Sequence, residues 1–180
     1  MPEDQKKPYV FDWIAGVFTF AIFVLSRFFE RGGIPALRWV GVVVLIAALT
    51  LAFLPIFTLR KYGQVKKGKS YMDTSVLVDG GIFSIVRHPQ YLGYMFFNFG
   101  FVLTSQHCVI ALLGALAISF FYLHTLDEER FCRKKFGEDY IQYSRKVPRL
   151  NLILGVIRLC RGSRARLKSS QNGHHCPPKK

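Results

Sequence analysis

Charge of one sign is scarce in this chain: 11 Asp+Glu stand against 25 Lys+Arg among 180 residues, a formal net charge of +14. Charge of either sign is missing altogether from Pro89 to Leu126, 38 residues without Asp, Glu, Lys or Arg. The four cysteines form no Cys-x-x-Cys pair, which argues against a zinc site or a redox couple. Cys176 stands one position too early for a C-terminal prenylation box. Apolar residues, by contrast, are abundant: 51% of the chain is hydrophobic and 15% aromatic. That content excludes a disordered basic tail protein, and soluble domains of this size do not gather apolar residues in charge-free runs of such length. Strong positive charge beside long apolar runs is the composition of one small membrane domain with basic cytoplasmic loops.

Four crossings are predicted. The first run, Trp13–Phe29, is interrupted only by Arg27, whose long side chain can reach the headgroups. It lacks a small-residue cleavage site and is followed at once by a second hydrophobic run, so it reads as a span and not as a secretory signal. Trp39–Leu59 is charge-free over 21 residues, enough to cross about 30 Å of hydrocarbon, with Pro55 expected to kink its cytoplasmic end. Pro89–Leu126 is too long for one helix and suits a hairpin, Gln90–Leu103 and Cys108–Asp127, turning at Thr104–His107.

Orientation follows from the loops. Lys6 and Lys7 precede the first span, and Arg60, Lys61, Lys66, Lys67, Lys69 and Arg87 lie between the second and third. Residues 130–180 hold 14 Lys+Arg and two acids, so +12 of the +14 falls there. The positive-inside rule then places both termini and the central loop in the cytoplasm. The expected fold is all-α, a multi-pass membrane protein with about four transmembrane helices, residues 1–157 forming the membrane domain and 158–180 a basic, disordered tail. The tail has no interleaved aromatics, which favours anionic membrane lipids over nucleic acid as its partner, at roughly 1 kcal/mol per cation.

Residues able to do chemistry concentrate on the cytoplasmic side. Val76–Val78 is a short apolar segment, Asp79-Gly80-Gly81 a turn signal, and Arg87-His88-Pro89 opens the third span. Proline suits a first helical turn, where its missing N–H costs nothing. A helix start flanked by Arg and His can bind a carboxylate or phosphate; equally, both side chains can serve as interfacial anchors. Asp127-Glu128-Glu129 is expected at the C-terminal end of the fourth span, where acids oppose the helix dipole. Pairing with Arg130, Arg133 or Lys134 would explain them, as would a ligand ammonium or a diol. If the last two spans form a hairpin, His88 and Glu128 become neighbours, and a zwitterion fits between them. His124 lies one turn deeper than Glu128, on the same face by i,i+4 spacing. It is a functional candidate, or a neutral histidine bonded to a neighbouring helix. His107, in the far turn, reads as structural.

The segments VLVDGGIFSIVRHPQYLGY (Val76–Tyr94) and DEERFCRKKFGEDYIQYSRKVPR (Asp127–Arg149) together resemble the isoprenylcysteine carboxyl methyltransferase and phospholipid methyltransferase superfamily. The resemblance covers roughly residues 60–150. It implies an integral membrane enzyme using S-adenosylmethionine in a cytoplasmic pocket. Ser75, Val76, Leu77 and Val78 would line that pocket, with Phe83 close by. His88, Pro89, Gln90 and Tyr91 would hold the cofactor from the third span and Glu128 from the fourth. Phe83 stands where such enzymes tend to carry Tyr, and His124 where they carry an Arg associated with the substrate carboxylate; histidine is the weaker, pH-dependent partner.

The implied reaction is methyl transfer to a lipophilic acceptor from the bilayer, foremost the carboxylate of a prenylated cysteine, alternatively the amine of a phospholipid. Arg87, His124 and Glu129 are the catalytic candidates. A carboxylate needs only to be positioned, whereas an amine must lose a proton, which His124 or Glu129 could accept. No metal is called for. The segment from Cys132 to Pro148 also looks like the C-terminus of membrane sterol reductases, which are longer and use a nicotinamide cofactor. A non-enzymatic four-span lipid-binding protein is the remaining alternative.

Overall fold

The computed structural model describes residues 10–29, 33–64 and 74–161. Its elements are α1 (Val10–Leu25), α2 (Pro35–Tyr62), a 3-10 turn (Gly81–Ser84), α3 (Pro89–Ser105) and α4 (Cys108–Lys146), followed by a helix over residues 152–161, α5. No strand occurs among the described residues. The all-helical architecture therefore agrees with expectation. The first helix starts earlier and ends sooner than its apolar run, because the chain turns at Ser26, whose hydroxyl donates to the Phe23 carbonyl at 2.9 Å. α5 crosses the domain boundary expected at residue 157; the rest of the expected tail, 162–180, lies outside the described residues.

α2 and α4 are long and apolar enough to cross a membrane, while α1 is a shorter apolar helix. On α1, Trp13, Val17 and Phe20 point outward, and on α2 Trp39, Val43, Ile46, Phe53 and Phe57 do so at helical spacing. Outward apolar stripes of this kind are stable against hydrocarbon and unstable against water.

Helix contacts run α2 against α3, α3 against α4 and α4 against α1. Small residues that admit close backbone approach carry the packing of α2 on α3. A Cβ on Gly93 of α3 would lie 2.9 Å from the Ala48 carbonyl oxygen and 2.8 Å from the Ala52 nitrogen of α2. One heptad on, Gly100 packs against Leu45 and the Gly41 carbonyl. At the far end Gln106, in the left-handed region at φ 50°, exchanges two hydrogen bonds with the Ile34 backbone, 3.1 and 2.8 Å. His107 caps α4 by accepting from the Val109 N–H at 3.3 Å, the structural part expected of it.

α4 departs most from expectation. It does not stop at the acids but continues to Lys146, interrupted at Gly137, where φ 55° and ψ −129° put a non-helical bend. Asp127, Glu128 and Glu129 are thus mid-helix, and the dipole penalty expected of a C-terminal acid cluster does not arise. Its 39 residues, about 58 Å at helical rise, carry the chain past the charge-free run and over the cleft described below.

Candidate functional site

His88 is the residue before α3, with Pro89 in the first helical turn. Its position is set from behind: the Arg87 N–H donates to the Pro148 carbonyl at 3.0 Å and the His88 N–H to the Arg149 carbonyl at 3.2 Å. These two bonds satisfy donors at a helix entry that nothing within α3 could satisfy. They also bring in Arg149, whose guanidinium reaches Glu129 with both prongs, Nε to Oε1 at 2.8 Å and Nη2 to Oε2 at 2.7 Å. Arg87 Nη1 also approaches Glu129 Oε1, at 2.6 Å. The His88 ring lies between the acids, Nε2 3.5 Å from Glu129 and Nδ1 3.7 Å from Glu128.

The five groups bear three positive and two negative charges when His88 is protonated. Burial opposes that protonation, but the hydrogen bonds and charges of Glu128 and Glu129 outweigh it and raise the His88 pKa above its usual 6.5. Burial likewise works against ionised Glu129, which is 3% exposed; the bonds from His88 and Arg149 and the charge of Arg87 still lower its pKa to about 2. A carboxylate so tightly held is a poor proton acceptor. Glu129, a catalytic candidate from the sequence, is paired with Arg87, His88 and Arg149 and does not line the adjacent cleft.

Beside this cluster lies an open cleft walled by residues of α2, the 74–83 loop, α3 and α4. Leu77, Val78, Phe83, Arg87, His88, Pro89, Gln90, Tyr91 and Glu128 all line it. Ser75 and Val76 face a neighbouring groove that shares Leu77, Phe136 and Tyr143 with the cleft; the Ser75 hydroxyl donates to the Gln64 carbonyl at 2.6 Å. Glu129 is not in the cleft wall. His124, buried on α4, is also set back, its ring 5.0 Å from that of Tyr91, which stands between it and the cleft.

Several contributors were not singled out from the sequence. Lys135 Nζ donates to the Thr74 carbonyl at 2.7 Å and the Tyr143 hydroxyl to the Phe83 carbonyl at 2.7 Å, so the far part of α4 clamps the loop from both ends. Phe131, Phe136, Tyr140 and Tyr143 add an aromatic wall. Burial raises the pKa of both tyrosines, so they remain neutral. Asp12 of α1 is near enough to His124 and Glu128 to interact with both electrostatically. Arg149 ended the recognised motif without a role; nothing in its local pattern points 20 residues back to Glu129.

The fold and the cleft define an all-helical protein with two helices long and apolar enough to cross a membrane and an acid–imidazole cluster at a helix entry beside an aromatic-lined cleft. Residues 36–139 match the phospholipid methyltransferase family, and the chain belongs to that family. Among curated proteins it is similar to protein-S-isoprenylcysteine O-methyltransferases. That of Xenopus laevis is 31% identical over 132 residues, 67% of this chain and 43% of the relative. That of Rattus norvegicus is 28% identical over 148 residues, 79% and 52%, and that of Schizosaccharomyces pombe 32% over 99 residues, 50% and 42%. The chain therefore spans about half the length of these relatives. No solved structure matches it.

Proposed function

We propose that the protein is an integral membrane methyltransferase that takes its methyl group from S-adenosylmethionine and delivers it to the carboxylate of an isoprenylated cysteine. The observation that carries this is the meeting of His88 and Glu128 in one aromatic cleft. The residues there fit the cofactor's chemistry. Glu128 offers a carboxylate to an ammonium or a ribose diol, and Phe131, Phe136 and Tyr140 offer π faces to a planar base or a cationic sulfur. Leu77 and Val78 supply apolar contact, and Arg87 offers charge to a carboxylate. When bound, S-adenosylmethionine supplies an activated methyl group on a sulfonium.

The chain's own task is to align and desolvate. Arg87 and Arg149 fix Glu129, Glu129 fixes His88, and the clamp of Lys135 and Tyr143 holds the loop over the cleft. Tyr91 and Pro55 form the membrane-side wall, where an acceptor with a prenyl tail would approach. A carboxylate acceptor is already nucleophilic and asks for no base. The supporting topology is four crossings with both termini and the cleft on the cytoplasmic side. α1 and α3, at 16 and 17 residues, span about 25 Å and suit a slightly thinned bilayer.

Asp12 and His124 favour a second reading, N-methylation of a phospholipid amine. An acid and an imidazole beside Tyr91 could attract an ammonium and take up its proton. Incubating purified protein in bilayers with the methyl donor and either a farnesylcysteine analogue or phosphatidylethanolamine, with product mass as readout, tests both. A methyl ester on the first supports the proposal; N-methylation of the second replaces it; methylation of neither rejects both acceptors.

A further inference from the structure

Helix α5 plays no part in the cleft, yet it is built against the segment that opens α3. Its inner face is Leu152 and Gly155. Leu152 packs with the core cluster of Leu51, Val86 and Leu92. Gly155 sits directly on Ile85, where any Cβ would collide with the Ile85 carbonyl. The opposite face carries Ile153, Val156, Ile157 and Cys160, at i, i+3, i+4 and i+7, all exposed, Ile153 at 75%. Arg161 is exposed at the end of this helix, while Arg158 donates to the Lys146 carbonyl at 3.3 Å. The sequence adds Arg164, Arg166 and Lys168 with no acid between residues 150 and 168.

A short helix with an outward apolar strip, flanking cations and no acids matches an anionic bilayer surface: the strip enters the acyl boundary and the cations meet the headgroups. A water-facing α5 would leave that strip unpaid in apolar exposure. The same helix is joined to the site by backbone. Pro148 and Arg149, just before α5, accept the N–H bonds of Arg87 and His88, and Ile85, two residues before Arg87, is the seat of Gly155. We infer that α5 is an interfacial lipid sensor: an anionic membrane surface holds its outer face, and through Ile85 and the Pro148–Arg149 backbone this steadies Arg87 and His88. Cofactor affinity is thereby tied to the charge of the membrane, a consequence that rests on the cofactor reading above, whereas the lipid contact and its relay to Arg87 do not.

Amide hydrogen exchange on the full chain, in nanodiscs of phosphatidylcholine alone or with phosphatidylserine added, tests this. Exchange across residues 152–161 and across 85–92 is expected to slow at least about fivefold in the anionic discs. An Ile153→Ser/Ile157→Ser variant should lose both effects. Gly155→Val should keep the first and lose the second, since its outer face is intact. Equal exchange in the two discs overturns the lipid contact, and slowing at 152–161 alone in the unaltered protein overturns the relay. S-adenosylmethionine titrated into the same discs reports separately on the cofactor: absence of binding in both discs rejects that reading and leaves the exchange results to decide the sensor.

Discussion

Glu129 illustrates how little a residue's chemistry is its own. A buried carboxylate in a mid-helix position is tolerated because two guanidiniums and an imidazole surround it. Removing one partner of such a buried set leaves the others uncompensated, at about 3–5 kcal/mol. Glu129→Gln is therefore expected to lower the unfolding temperature sharply, whereas Glu128→Gln, in the cleft wall, should weaken ligand binding with a small thermal effect; differential scanning fluorimetry in detergent separates them. The two titrations have opposite signs. Glu129, lowered to about 2, gives stability that is complete above the ordinary carboxylate value and is lost progressively as pH falls from there through about 2. His88, raised above 6.5, gives stability that is complete below 6.5 and disappears as pH rises through its folded value. A stability–pH profile should accordingly fall on its alkaline side, and His88→Gln should flatten that limb. An unchanged limb would mean that the imidazole is not protonated against the acids.

At the scale of the element, glycine divides into two kinds. A Cβ at Gly93 would meet α2 backbone within 2.9 Å, and backbone cannot step aside, so Gly93→Ala should cost about 1–3 kcal/mol. Gly16 has nothing within 4 Å of its Cβ position, and Gly16→Ala should be neutral or stabilising by up to about 1 kcal/mol through helix propensity. Thermal melts of the two variants side by side check the contrast. Gly137 has open space too, but its φ 55° and ψ −129° suit glycine alone. Alanine there should cost about 1–3 kcal/mol and disturb the bend that brings Tyr140 and Tyr143 over the cleft, seen as loss of ligand affinity. Elements of this chain were legible where the signal is local. The charge-free runs located α2, α3 and the start of α4, and the hairpin turn expected at Thr104–His107 is there, though α3 runs two residues into it, to Ser105. The continuation of α4 was not legible, because Asp127-Glu128-Glu129 looks like a helix end until Arg149 and Arg87 arrive to neutralise it. Lys135 and Arg149 were likewise hidden by distance, their partners lying 61 and 20 residues away.

For the whole molecule, the pairing of His88 with Glu128 could be anticipated because a hairpin returns both ends of a charge-free run to one side. The clamp over the cleft could not, since it depends on where the bent α4 comes to rest. The architecture then divides its labour: glycine-mediated packing of α2 on α3 fixes the start of α3, and the ion cluster and the α4 clamp shape the cleft in front of it. The central claim is that the imidazole of His88 and the carboxylate of Glu128 hold S-adenosylmethionine together. Isothermal titration of S-adenosylmethionine into the purified, bilayer-embedded protein tests it most directly. Binding by the unaltered chain, with at least about tenfold weaker affinity, or roughly 1.4 kcal/mol, in each of His88→Ala and Glu128→Gln, is the expected result. Equal affinity in all three proteins, or none in the unaltered one, would contradict it.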